Sequence, residues 1–178
     1  MRRLLLALAL AVTTPVVTPG CSYTRLVKNL SDTEFDHYYA VRAFMDEEQR
    51  KAYLKLKTEE ERDQYLKEFM LPGLPPKSLW DTFYQYPDHI RTKIIEGGVQ
   101  TGWTVDMLTM SWGRPMKSRK LAGRQAERSL MFIYKFEQHP DGSVLVWQPG
   151  SKTEYQADRT FLREVILDDD VIAEIRDR

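Results

Sequence analysis

Between residues 31 and 61 the chain carries three helix starts in close succession. Ser31-Asp32-Thr33-Glu34, Asp46-Glu47-Glu48-Gln49 and Thr58-Glu59-Glu60-Glu61 each set a short polar residue three positions before Glu or Gln. In that arrangement the first side chain accepts a backbone N–H from inside the helix, and the Glu or Gln reaches back to the N–H at the cap. Apolar residues follow each start at helical spacing: Phe35, Tyr38, Val41 and Met45; then Tyr53, Leu54 and Leu56; then Tyr65, Leu66 and Phe69. Pro72-Gly73-Leu74-Pro75-Pro76 is a firm break. Two more short helices are predicted over residues 78–86 and 87–96, with Gly97 placed to end the second.

The pattern changes after Gly113-Arg114-Pro115. Residues 130–136 (LMFIYKF), 144–147 (VLVW) and 160–167 (TFLREVIL) are aromatic and β-branched, and 171–175 alternates as Val171, Ala173, Ile175. His139-Pro140-Asp141-Gly142 and Asp168-Asp169-Asp170 read as turns, and Pro149-Gly150-Ser151 as the start of a loop. The predicted fold class is α+β. A helical N-terminal half (31–96) packs with a C-terminal helix and a three- to four-stranded antiparallel meander (97–178).

The first residues, MRRLLLALALAVTTPVVTPGC, run basic, apolar, then small, the order of a secretory leader over 1–20. Cys21 is the only cysteine, so an internal disulfide is excluded. Val17-Thr18-Pro19-Gly20-Cys21 resembles the bacterial lipobox; Gly20 fits, and Thr18 stands where Leu is usual. The resemblance implies that Cys21 is acylated, that 21–30 is a tether, and, since Ser22 rather than Asp follows, that the anchor is in the outer membrane. Arg2 and Arg3 leave with such a leader, reducing 26 Lys+Arg to 24 against 26 Asp+Glu, a net charge of about −2. No basic excess points to nucleic acid. The 158 residues from Cys21 onward suit one domain with one core.

Gly97 through Thr104, GGVQTGWT, falls one residue short of the phosphate-binding pattern G-x-x-x-x-G-K-[ST]. Such a loop follows a buried strand and needs its Lys. Here Trp103 holds the Lys position, and the preceding residues read as a helix. A structural role accounts for the whole stretch. Gly97-Gly98 ends one helix, and Thr104 caps the next. Asp106 suits its positive end. Val105, Leu108 and Trp112 form a buried stripe, Trp103 staples the start, Gly113 provides a left-handed exit, and Pro115 blocks continuation. No G-x-S-x-G occurs. His37, His89 and His139 are widely separated and read as surface or turn residues. Asp168–Asp170 lacks the spaced ligands and Gly of a calcium loop. No metal, cofactor or catalytic residue is predicted.

Gly102-Trp103-Thr104, a short helix, Trp112-Gly113-Arg114-Pro115 and the following strands resemble the SmpA/OmlA family over about residues 97–178. Trp112 replaces that family's Leu. The closing REVILDDDVIAEI is similar to the family's last hairpin. The resemblance implies a small lipoprotein of the outer-membrane barrel-assembly machinery. Tyr53–Asp63 and Tyr65–Phe69 resemble the start of the GWxTD domain of bacterial envelope proteins; its Thr stands one place later than Thr104 does here. Neither family implies a catalytic residue. The function expected is that of a non-enzymatic, lipid-anchored scaffold that binds envelope proteins, such as outer-membrane assembly or transport components. The alternative is an inhibitor or ligand-binding module, since β-lactamase-inhibitor proteins are similar to this fold family. Arg114, Lys117, Arg119, Lys120, Arg124 and Arg128 place six positive charges in a short window with no acid before Glu127. They are candidate contacts to an acidic partner or to lipid head groups, or else a solvated loop.

Overall fold

The computed structural model describes residues 25–73, 75–148 and 156–178. The leader, Cys21 and the first residues of the expected tether lie outside the described residues, as does the loop start at 149–151. All three predicted capping boxes form. They open α1 (Asp32–Val41), α2 (Glu47–Lys55) and α3 (Glu59–Glu68), with Ser31, Asp46 and Thr58 as the caps. A 3-10 turn, Arg42–Phe44, links the first two helices.

The Pro72–Pro76 break is held by a two-stranded ribbon, β1 (Met70–Leu71) with β2 (Lys77–Ser78). Helix α4 (Leu79–Tyr84) then starts on the Ser78 cap and is shorter than predicted, because Gln85 already ends it. Next come α5 (Asp88–Ile95) and α6 (Val105–Trp112).

The second sheet contains β3 (Lys117–Leu121), β4 (Ser129–Gln138), β5 (Val144–Val146), β6 (Arg159–Asp168) and β7 (Val171–Asp177). The order is β3-β4-β6-β7, with β5 also paired to β4. β3 lies along residues 129–133 of β4 and β5 along 136–138, so the two short strands share one edge. β6 returns to the other edge and pairs with β4 over its full ten residues. The sheet is the antiparallel meander expected of the α+β fold class, with β5 added as a short strand on the β4 edge that β3 also uses. The chain between α6 and β4, read as a loop, contains β3. Its LysSerArgLys run is exposed on both faces, so it lacks the alternation that marks a half-buried strand. Between β6 and β7, Asp169 and Asp170 have φ of 47° and 67°, the left-handed pair of a type I′ turn.

A single buried cluster spans both halves. Tyr38, Tyr53, Leu79, Ile94 and Leu108 from the helices join Tyr134, Val165, Leu167 and Ile172 from the sheet. The regions on either side of 96/97 thus share one core, and helical structure continues past that point to Trp112. The end of the expected tether is not free either. Residues 25–30 form a turn whose Leu26, Val27 and Leu30 pack against that core.

Inside the helical half, Glu34 and Arg62 form an ion pair only 4% and 6% exposed. One Glu34 oxygen accepts the Ser31 N–H at 2.7 Å, and the other takes Arg62. Arg62 also donates to the Leu56 carbonyl at 2.6 Å, so a single side chain joins α3, the end of α2 and the cap of α1. Burial alone would raise the Glu34 pKa, but the Ser31 N–H and the guanidinium outweigh it and hold the carboxyl below its ordinary value. Removing one member of a buried pair strands the other charge. Arg62→Leu should therefore cost about 3–5 kcal/mol in urea unfolding. Adding Glu34→Gln, which keeps the cap and removes the stranded charge, should recover part of the loss. A single-variant cost below about 1 kcal/mol would show that the pair does not organise this half.

Candidate functional site

The Gly102-Trp103-Thr104 stretch is pinned to the last hairpin. The Gly102 N–H donates to the Ile172 carbonyl at 2.8 Å, and the Ile172 N–H donates to the Trp103 carbonyl at 2.7 Å. The Val105 N–H donates to the Asp170 carbonyl at 2.8 Å. The Thr104 hydroxyl caps α6 by accepting the Met107 N–H, and lies 3.2 Å from the Tyr86 hydroxyl. Trp103 is buried rather than laid on from outside.

At the other end of α6, the Trp112 indole N–H donates to the Gly97 carbonyl at 2.8 Å, tying the exit of α6 to that of α5. Gly113 has φ of 77°, and a Cβ there would meet the Gln148 amide at 2.8 Å. Its carbonyl accepts the Tyr134 hydroxyl at 3.2 Å. Gly102, Trp103, Thr104, Trp112 and Gly113 thus make structural contacts, and Pro115 lies beyond the helix end. The segment before Gly97 is helix α5, not a strand.

The six candidate cations separate in space. The Arg114 Nε donates to the Ala43 carbonyl at 2.8 Å. Arg124 clasps Asp168 with two nitrogens, Nε to Oδ1 at 2.8 Å and Nη2 to Oδ2 at 2.6 Å, and the Ser129 hydroxyl adds a third bond at 2.7 Å. Arg128 pairs with Asp170, and its backbone N–H reaches Asp169 Oδ1 at 2.9 Å. The acids that oppose Arg124 and Arg128 are therefore the three Asp of the β6–β7 turn, some forty residues later in the chain. The Arg124 and Ser129 hydrogen bonds outweigh desolvation and lower the Asp168 pKa to about 2.

Lys117, Arg119 and Lys120 stay exposed on β3, and none pairs with a carboxylate among the described residues. Lys120 stands beside Leu130 on the helix-covered face; Lys117 and Arg119 stand beside Ile133 and Met131 on the opposite face. β3 is an edge strand, so these charges line an open sheet margin.

Two other groupings have no counterpart in the sequence reading. His37 is buried, not a surface residue. Its Nε2 is 2.7 Å from the Tyr84 hydroxyl, its Nδ1 is 3.8 Å from Asp63, and the Trp80 and Phe83 rings stand edge-on to it. The row carboxylate, imidazole, phenol resembles a proton relay, yet burial raises the Tyr84 pKa and disfavours the nucleophilic phenolate. The row is read as the contact that holds α4 on α1. The second grouping is an open cleft of about 450 Å³ where β6 begins and β7 ends. Arg159 and Arg163 flank Phe161 there, with guanidinium carbons 5.5 Å from its ring centre, and Arg163 donates to Asp177 at 2.6 Å. Arg159, Phe161 and Arg163 are two apart in a strand, so period-two spacing was the signal that could have revealed them. No cluster of three or more His, Cys, Asp or Glu able to hold a metal occurs among the described residues. Compared with family models, curated proteins and solved structures, the chain matches none.

Two pH effects follow. Burial lowers the His37 pKa below its ordinary 6.5, against the pull of Asp63. The unfolded chain then takes up the proton first, so this residue's contribution is full above pH 6.5 and declines as pH falls below it. The melting temperature should drop between pH 7 and pH 5, and His37→Gln should flatten that drop; an unchanged slope would assign it to other groups. Asp168 acts lower. Its contribution is present above its unfolded value of 3.8 and is lost as pH falls toward 2. Arg124→Gln should make stability less steeply pH-dependent in that range, measured by acid unfolding.

Proposed function

We propose that this protein is a non-enzymatic, lipid-anchored component of the bacterial cell envelope, a scaffold or accessory that docks outer-membrane assembly or transport proteins. The anchor is Cys21, acylated after removal of 1–20. The observation that carries the docking role is the β3 edge, where Lys117, Arg119 and Lys120 stand exposed beside unfilled strand positions. An edge strand offers backbone groups to an added strand, and three cations favour an acidic one. The SmpA/OmlA resemblance supports the same role, as a likeness of motif over about residues 97–178.

A second reading, an inhibitor or ligand-binding module, is favoured by the Arg159–Phe161–Arg163 cleft, whose guanidinium and ring surfaces suit a small anion with an apolar part.

The test is cross-linking in intact cells that carry a tagged full-length copy, followed by identification of what co-purifies. The combined variant Lys117→Gln, Arg119→Gln, Lys120→Gln should reduce partner recovery several-fold, whereas Arg124→Gln, already neutralised by Asp168, should change it little. Undiminished recovery with the combined variant removes β3 as the contact. Recovery of the protein alone in the soluble periplasmic fraction removes both anchor and scaffold.

A further inference from the structure

We infer that helix α1 lies on the lipid surface through Phe35, Tyr39 and Arg42, with Arg114 extending the contact. This rests on the acylation of Cys21 proposed above and adds the face of the protein that meets the bilayer. Arg25 follows Cys21 by four residues, and four residues span at most about 14 Å. The turn over residues 25–30 therefore stays close to the acylated residue. Because Leu26, Val27 and Leu30 of that turn are packed on the core, the whole body is held by this corner rather than by a long leash.

Helix α1 begins at once, on the Ser31 cap. One turn in, Phe35 is 41% exposed and rests on Tyr39, ring centres 4.2 Å apart. The Arg42 guanidinium carbon lies 4.0 Å from the centre of the Tyr39 ring. Past Arg42, the Ala43 carbonyl holds the exposed Arg114 at 2.8 Å. A continuous strip thus runs along α1 through an aromatic pair to two arginines, and the exposed Arg25 and Lys28 precede it in the chain. Aromatic rings with polar edges settle at head-group depth. Arginines meet phosphate oxygens bidentately, and basic residues near an anionic leaflet add attraction. Asp32 and Asp36 on α1 oppose the approach, against Arg25, Lys28, Arg42 and Arg114.

The experiment uses the mature full-length protein in vesicles of phosphatidylethanolamine and phosphatidylglycerol. Phe35→Cys and, separately, Thr160→Cys carry an environment-sensitive fluorophore; an acylated Cys21 has no free thiol to compete. Thr160 alternates with the core-packed Phe161 and so lies on the sheet face away from the helices. A head-group-level lipid quencher should quench position 35 several-fold more than position 160. Arg42→Gln with Arg114→Gln should reduce the difference. Equal quenching at both positions in acylated, vesicle-bound protein overturns this inference and leaves the anchor standing. An unmodified Cys21 by mass overturns both. Efficient cross-linking from position 35 to another protein in cells, in place of quenching, overturns the lipid contact in favour of a protein one.

Discussion

The longest helices among the described residues have ten residues. Helices of that length are marginal in water, because the cost of the first turn is spread over too few hydrogen bonds. Everything else in the helical half answers this limit. Capping boxes satisfy the first N–H groups of α1, α2 and α3 locally. The helices then need a common core, and Tyr38, Tyr53, Leu66, Leu79 and Leu108 supply it. The Glu34–Arg62 pair fits the same logic. Its carboxylate belongs to a capping box, so the charge that completes one helix start also fixes the position of α3. Such a pair adds little net stability over an apolar substitute of similar volume, but losing one member leaves the other charge buried and unpaired.

Beyond the shared core, a short turn bonds the start of α6 to the sheet. Asp168–Asp170 presents its backbone to the start of α6 and its side chains to the loop before β4. The left-handed φ of Asp169 and Asp170 lets the two strands fold back in two residues. That tight return puts the Asp170 carbonyl and Ile172 where residues 102–105 can bond them. The carboxylates are left pointing at Arg124 and Arg128. A run that looks in sequence like three crowded negative charges is therefore neutralised from two directions.

What was legible in the sequence is what is determined locally. Ser31, Asp46, Thr58 and Thr104 announce their helices because a cap depends on residues three apart. β4 and β6 announce themselves by composition. What was not legible is set by distant partners. Lys117–Leu121 has no strand signature, and only Ser129–Ile133 across the gap makes it a strand. His37 carries no mark of burial, since its neighbours Trp80, Phe83 and Tyr84 arrive more than forty residues later. For the candidate site, the run of six cations was visible, but its division was not. Arg124 and Arg128 are neutralised by acids forty residues away, whereas Lys117, Arg119 and Lys120 are left exposed.

That division bears on how an open sheet margin avoids its own copies. Lysines on an edge strand repel a second identical edge, because pairing would set positive charge against positive charge. The same charges would discriminate among other strands offered to this edge. A strand carrying carboxylates at alternate positions meets no such repulsion and gains attraction on both faces, since Lys120 stands on one side of β3 and Lys117 and Arg119 on the other. Repulsion of an identical edge and attraction for an acidic strand thus rest on the same charges of one strand. Removing the charges weakens both together.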